Sequence, residues 1–412
     1  MSHEIATPTQ HEHERSALEL FSHPAIQAAL ERLRLRWLES VKPTPDMASC
    51  FDASFEEVMF AATIWSTNQD PLRPKVITIT RLEHPLGDVR IPGTRWGIDN
   101  PDSVYRVIPI SGSERYEIHG RVAESRLPEN YFTLWDKDFN TLDVLDGSKL
   151  VIDDDRRFVI SVDSDPAGDR ANHIQSNSSA HEFYIRDVLQ DWAVDTPNDL
   201  EIVRLGDPPN GPAPTIEEQV ALTIEFMERY AENTTRWNQQ AYAKPVNELE
   251  FKIDRETDGA LRNQIYILGH FDLDEDQALI IDVHLGGAGY FVAPITNCWG
   301  TTNEIMSRTS SLNRIQSVAN ADATYTYVLC RNDPGVHNWL DPCGFRDGVL
   351  TLRWAEFKGG QPSDQAEARS RVVSMSDLTS SLPGETRWVT AEERSEQCLV
   401  RAAAYRRRLP EL

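Results

Sequence analysis

TYTYVLCRNDPGVHNWLDPCGFRDGVLTLRWAE, residues 324–356, reads as an apolar strand, a crowded polar turn and a second strand. The turn gathers Asp333, Pro334, His337, Asn338, Trp339 and Asp341, with Arg346 just beyond. A degenerate copy lies earlier in FVISVDSDPAGDRANHIQSNSSAHEFYIRD, residues 158–187. There Asp165-Pro166 answers Asp333-Pro334, Asn172 answers Asn338, and Arg186 answers Arg353. A second set of anchors is spaced alike in both halves, Asp102, Gly112 and Tyr116 against Asp276, Gly286 and Tyr290. The two sets predict a mainly β protein of two tandem antiparallel β-sandwich or jelly-roll-like units from an internal duplication, with flanking helices. Alternating strands with short glycine-containing turns favour antiparallel sandwiches over parallel sheets.

Working outward, residues 1–14 read as a polar, disordered tail carrying His3, His11 and His13. Residues 15–72 form a helical region. Leu18, Phe21, Ile26, Leu30 and Leu33 recur at helical spacing, and a second amphipathic run covers Phe55 to Trp65. The first β unit spans 73–204, and RWGIDNPDSVYRVIPISGSERYEIHGR, turning at Ser-Gly-Ser, carries a β-hairpin signature. Residues 205–245 are a Pro/Gly linker and a helix, opened by the capping pair Thr215 and Glu218. The second unit spans 246–357, its β pattern returning from about Phe251. Residues 358–412 form a C-terminal extension whose terminal helix ends in Arg406-Arg407-Arg408, a run that the helix dipole explains without a partner.

A chain of 412 residues with 40% apolar content exceeds one ordinary core. The formal charge of −24 disfavours nucleic acid, whose binding depends on neutralising phosphates, and anionic membrane surfaces as well. Five cysteines without CxxC spacing read as reduced thiols. With no apolar run of about 20 residues, the expected location is the cytoplasm. The oligomeric state is left open.

The same blocks resemble a bacterial family known as domain of unknown function number twelve-fourteen, in its long form with an N-terminal helical region. The resemblance rests on WGIDNPDSVYRV, YEIHGR and DPGVHNWLDPCGFRDGVLTLRW. It implies the fold and no activity. The chain departs from the pattern at Asn172-His173-Ile174, where a tryptophan is usual at the middle position.

That departure directs the chemistry. If the repeats pack about a pseudo-twofold, His173 meets His337 and Asp341 as catalytic groups, an imidazole beside a carboxylate being suited to acid/base work. Asn172, Asn338, Trp339, Arg346, Tyr105 and Trp299 are the candidate substrate-binding residues, with Arg346 an anion clamp. The structural reading of the same turn is that Asp-Pro starts it, Asn bonds the local backbone and Trp339 plugs the sandwich. His119, His173, His181, His270, His284 and His337 show no tight metal-ligand spacing, so a metal would need tertiary assembly, and no cofactor is expected. Asp272, Asp274 and Asp276 start like a calcium loop but lack its glycine and twelfth ligand. LGGAG, residues 285–289, reads as a hairpin turn.

The expected function is a cofactor-independent acid/base enzyme (hydrolase, lyase or isomerase) acting on a small apolar or amphipathic molecule in an interdomain cleft. The alternatives are a non-catalytic small-ligand or glycan binder with an aromatic platform, a metal-dependent enzyme on the same cleft, and a structural partner subunit.

Overall fold

A computed structural model describes residues 5–125, 127–209, 211–249 and 263–410. The chain opens with α1 (Pro8–Phe21), α2 (Pro24–Val41), α3 (Pro45–Ser49) and α4 (Phe51–Ser66). Thr7 and Thr44 cap α1 and α3 through their hydroxyls, and proline stands in the first turn of α1, α2 and α3. Residues 8–14 of the expected tail are therefore helix. Gln10 and His13 are buried, and the Gln10 side chain behaves like one more strand residue. It donates to Thr78 O at 2.9 Å and accepts from Thr78 N at 2.8 Å. Glu14, in the next turn, pairs with Arg81 at 2.5 Å and with His84 at 3.3 Å, all three buried.

The first unit has β1 (Ile77–Thr78), a small hairpin of β2 (His84–Leu86) and β3 (Val89–Ile91), then β4 (Ser103–Pro109), β5 (Arg115–Arg121), β6 (Asn130–Trp135) and β7 (Thr141–Asp146). It closes with β8 (Arg157–Asp163), β9 (His173–Gln175), β10 (Glu182–Val188) and β11 (Asp199–Leu205). After α5 (Ile216–Tyr242) come β12 (Gln264–Asp272), β13 (Gln277–His284), β14 (Ala288–Thr296) and β15 (Ser311–Asn313). The second unit ends with β16 (Tyr325–Leu329), β17 (Trp339–Leu340), β18 (Asp347–Phe357) and β19 (Glu367–Ser374), followed by α6 (Leu378–Ser381) and α7 (Ala391–Arg406).

The sheets run β1-β4-β10-β6-β7 and β11-β5-β8-β9 in the first unit, and β12-β18-β14-β15 and β17-β16-β13-β19 in the second. Apart from β1 the strand orders are the same, and each unit has one parallel pair, β8 with β9 and β16 with β17, in otherwise antiparallel ladders. Strand β19 pairs with β13 along its length, so the second unit runs past residue 357 to residue 374. Its expected onset at Phe251 lies outside the described residues.

Three sequence expectations change. Strands β4 and β5 flank the Ser-Gly-Ser turn but belong to opposite sheets, so the segment is an arch over the core and not a hairpin. A turn signal and alternation look alike in both cases. The second anchor set is also not a repeat. Gly112 lies in the β4–β5 arch, where the carbonyl oxygen of Asn177 stands 1.6 Å from where a Cβ would be, whereas Gly286 (φ 59°) starts the β13–β14 turn. Asp102 and Tyr290 are partners across the seam: the Tyr290 hydroxyl donates to Asp102 at 2.8 Å. The LGGAG segment has positive φ at Gly286 and Gly287, but it joins β13 and β14 of opposite sheets, so it too is an arch and not the expected hairpin turn.

Each sandwich has its own core, and the sheets containing β10 and β18 turn their outer faces to each other. Val188 meets Tyr290, Val292 and Ala355 there, and the buried Arg353 pairs with the buried Glu129 at 2.6 Å. A further core joins α1, α2, α4 and α5 to the outer face of the β10 sheet through Tyr105 and Val107, and reaches Cys298 and Trp299 of the second unit. The C-terminal helix also spans the molecule. Arg408 is buried and donates to Pro101 O at 2.9 Å, so the dipole does not account for it alone. Among the described residues no helix is long and apolar enough to cross a membrane.

Candidate functional site

Strand alternation on β10 sends Phe183 and Ile185 into the first core and Glu182, Tyr184 and Arg186 to the outer face. In a lone sandwich that face would be solvated. Here α4 and α5 cover one end and the second unit approaches the other, so the stripe becomes the wall of a junction.

Aromatic rings build that wall. Trp135 stacks on Tyr184 with centroids 4.2 Å apart, and Trp96 stacks on Tyr230 at 3.8 Å. Trp65 of α4 stands between them, 6.0 Å from Tyr184 and 5.8 Å from Tyr230. Tyr105 lies 5.5 Å from Tyr184. Trp96, Trp135, Phe139, Tyr184 and Trp237 are each partly exposed, so the cluster reaches the surface.

Glu182 lies inside this wall at 2% exposure. Trp65 Nε1 donates to its Oε2 at 2.8 Å and Gln69 Nε2 to the same oxygen at 3.3 Å, while no described group hydrogen-bonds Oε1. Burial pushes the carboxyl up to about 7, against the two donors and the Arg229 charge. Tyr230, 1% exposed, has a hydroxyl with no hydrogen-bond partner among the described residues, and so does the Arg229 Nε. Burial, then the charge of Glu182, raises the Tyr230 phenol well above its ordinary value, leaving it a donor.

The Arg229 guanidinium lies between Phe139, at 4.9 Å, and Phe226, at 4.4 Å, and pairs with no carboxylate among the described residues. Arg186 lies over Tyr184 at 5.1 Å, and among the described residues it has no carboxylate and its buried Nε no hydrogen-bond partner. An ionisable carboxyl near neutrality, a buried phenol and two unneutralised guanidiniums on an aromatic wall constitute an acid/base and anion-anchoring arrangement.

Of the residues singled out by sequence, Tyr105 belongs to this cluster. The others do not gather in one site, and those of the first unit do not meet those of the second. His173 and His337 are carried by the outer sheets of the two units, separated by three sheet-to-sheet spacings of about 10 Å each, roughly 30 Å. His173 plugs its own turn, Nδ1 to Ser161 Oγ at 2.9 Å and Nε2 to Asp165 O at 2.9 Å. His337 bonds Asn338 Oδ1 at 3.2 Å, and burial holds its imidazole below the ordinary value. Asp341 is buried, accepts from Cys343 N at 2.7 Å and Arg308 at 2.8 Å, and is raised by that burial.

Asn172 and Asn338 are matching clamps. Asn172 Oδ1 accepts from Val151 N at 2.9 Å, and its Nδ2 donates to Val151 O and Val159 O. Asn338 does the same with Val318 N at 2.8 Å, Val318 O and Thr326 O. Trp339 Nε1 donates to Cys330 O at 3.0 Å inside a core that includes Val328 and Leu378. Trp299 is fully buried and packs on Trp37 and Phe51, its Nε1 donating to Met47 O at 2.7 Å. Arg346 is no anion clamp, because Asp272 at 2.5 Å and Asp274 at 2.8 Å already hold it. Among the described residues no group of three or more His, Cys, Asp or Glu is placed to hold a metal.

A broad depression of about 1740 Å³ lies elsewhere, between the start of α1, residues 119–125 and residues 193–202. The buried cation that lines it, Arg106, is already paired with Asp187. Sequence reasoning missed Glu182, Arg229 and Tyr230 because they come from a strand and a helix distant in the chain. The available signal was an acidic residue at an outward position beside the core residues Phe183 and Ile185.

No protein-family profile matches the chain, and no curated protein is similar to it. Among solved structures, an uncharacterized protein from Burkholderia cenocepacia is similar with a TM-score of 0.72 at 22% identity, over 88% of this chain and 100% of that one. A Vibrio parahaemolyticus protein has a TM-score of 0.42 at 10% identity, over 66% of this chain and 90% of that one. The first likeness shows the fold alone: a mostly β chain of two sheet groups with N-terminal helices.

Proposed function

We propose that the protein is a cofactor-independent enzyme in which Glu182 exchanges a proton with a small amphipathic molecule. The apolar part of the substrate lies against Trp96, Trp135 and Tyr184, and its anionic or polar end is held by Arg229 and Arg186. One observation carries this reading: the buried carboxyl of Glu182 is raised to about 7, with one oxygen fixed by Trp65 and Gln69 and the other unbonded among the described residues. A general acid or base works best when its pKa lies near the working pH. Tyr230 supplies a donor to charge that develops on the substrate. Hydrolysis, elimination and isomerisation are the classes that such a group serves.

The test is turnover in D2O. A panel of small aromatic and aliphatic carboxylates, esters and ketones is incubated with the protein and followed by NMR. The wild type is expected to give product or deuterium incorporation, and Glu182→Gln about 10²-fold less or lower still. Equal turnover by the two proteins sinks the proposal. A non-catalytic binder is the second reading, favoured by Tyr266, which is 55% exposed beside Arg353 and offers a stacking surface. It predicts binding without turnover.

We infer further that the two units descend from one by duplication. The shared strand order and the matching Asn172 and Asn338 clamps support this. The sequence blocks support membership of domain family twelve-fourteen, and five free thiols fit a reducing cytoplasm.

A further inference from the structure

A second pocket of about 260 Å³ lies where the end of α2, the link to α3 and the C-terminal part of α5 meet the second unit. Counted along α5, Asn238 is about 12 Å from Tyr230 at 1.5 Å per residue, so the pocket is separate from the Glu182 cluster. Val41, Pro43, Met47 and Tyr242 give it apolar walls.

Its inward polar groups are acceptors. Asn238 is 4% exposed; its Nδ2 donates to Cys298 O at 2.5 Å, which fixes the amide orientation and leaves Oδ1 buried with no partner among the described residues. Asp347 is 8% exposed and accepts the Thr44 hydroxyl at 2.8 Å. No cation among the described residues pairs with it. Arg346 is held by Asp272 and Asp274, and Lys42 on the lining is exposed. Asp46 and Asp272 add negative potential, and together with burial they raise the Asp347 carboxyl. A buried amide oxygen and a buried carboxylate without a cation call for a ligand that donates hydrogen bonds and carries positive charge.

We propose that this pocket binds a small organic ammonium ion on a short aliphatic body. The ammonium group donates to Asp347 and to Asn238 Oδ1, and the chain lies along Val41, Pro43, Met47 and the Tyr242 ring. At about 30 Å³ per water-sized unit the space suits a ligand on the order of eight non-hydrogen atoms. The proposal uses none of the Glu182 residues and stands or falls apart from that reading.

Calorimetric titration of the full chain with n-butylammonium, n-butanol and butyrate tests it. Butylammonium is expected to bind at least ten-fold more tightly than butanol, and butyrate not at all. Asp347→Asn is expected to weaken butylammonium at least ten-fold. Val41→Trp, which fills the mouth, is expected to abolish binding with circular dichroism unchanged, and it keeps the test decisive if Asp347→Asn does not fold. Absence of butylammonium binding, equal binding of butanol or butyrate, or unchanged affinity in a folded variant overturns the proposal.

Discussion

Glu182 shows how one side chain ties stability to pH. Its folded carboxyl is raised to about 7 from an ordinary 4.5, so the folded state holds a proton that the unfolded state releases between those values. Its contribution is therefore complete below about 4.5 and is lost as the pH rises through 7. The loss is about 3 kcal/mol at 1.36 kcal/mol per pKa unit. Glu182→Gln is expected to lack this fall in urea-unfolding stability between pH 5 and 8 and to be the more stable protein at pH 8. Trp65 reports the same proton, because its indole donates to the titrating group. Its fluorescence should titrate near pH 7 in the wild type and stay flat in Glu182→Gln. The asparagine clamps make a different prediction. Asn172→Ala and Asn338→Ala each orphan a backbone N–H and two carbonyls, and each is expected to cost about 2–4 kcal/mol in equilibrium unfolding. A much larger loss of ligand binding than of stability in Asn338→Ala would return that residue to a functional role.

Elements differ in how far the sequence announces them. The capping boxes at Thr215 and Thr390 form with Glu218 and Glu393, so α5 and α7 were legible from local chemistry. The turn that Asn338 anchors was legible too, because its copy at Asn172 repeats a local geometry. Pairing was not. Residues 103–121 alternate as a hairpin does, and only the distant partners β10 and β11 decide that the two strands go to different sheets. The candidate site was hidden for the same reason: α4, β10 and α5 bring its groups together, and no single segment holds them all. The first half of α1, residues 8–14, was missed because its polar residues serve buried partners. Deleting residues 1–14 removes Gln10 from the β1 edge and leaves Arg81 without Glu14. A buried charge that loses its partner costs about 3–5 kcal/mol, a drop to be seen as a lower melting temperature. The Arg81 ion pair and His84 hold the Glu14 carboxyl down at about 2, so its stabilisation is present above about 4.5 and fades as the pH falls toward 2. The gap between truncated and full-length protein should narrow over that acid range.

At the scale of the molecule, the seam between the sandwiches is closed by Arg353 and Glu129, both buried. Arg353→Met strands the carboxylate and is expected to cost about 3–5 kcal/mol, most of it recovered when Glu129→Gln is added. Scanning calorimetry of the single and double variants checks this. Additive losses would mean that the two residues act independently.

The helical core has a consequence for synthesis. Trp37 and Phe51 of the N-terminal helices complete their packing on Trp299, a residue of the second unit. A ribosome adding 5–20 residues per second takes roughly ten to fifty seconds to travel from α4 to that tryptophan. Through that interval the nascent helices present an uncovered aromatic face, and a residue made late in synthesis determines when the first ones are sheltered.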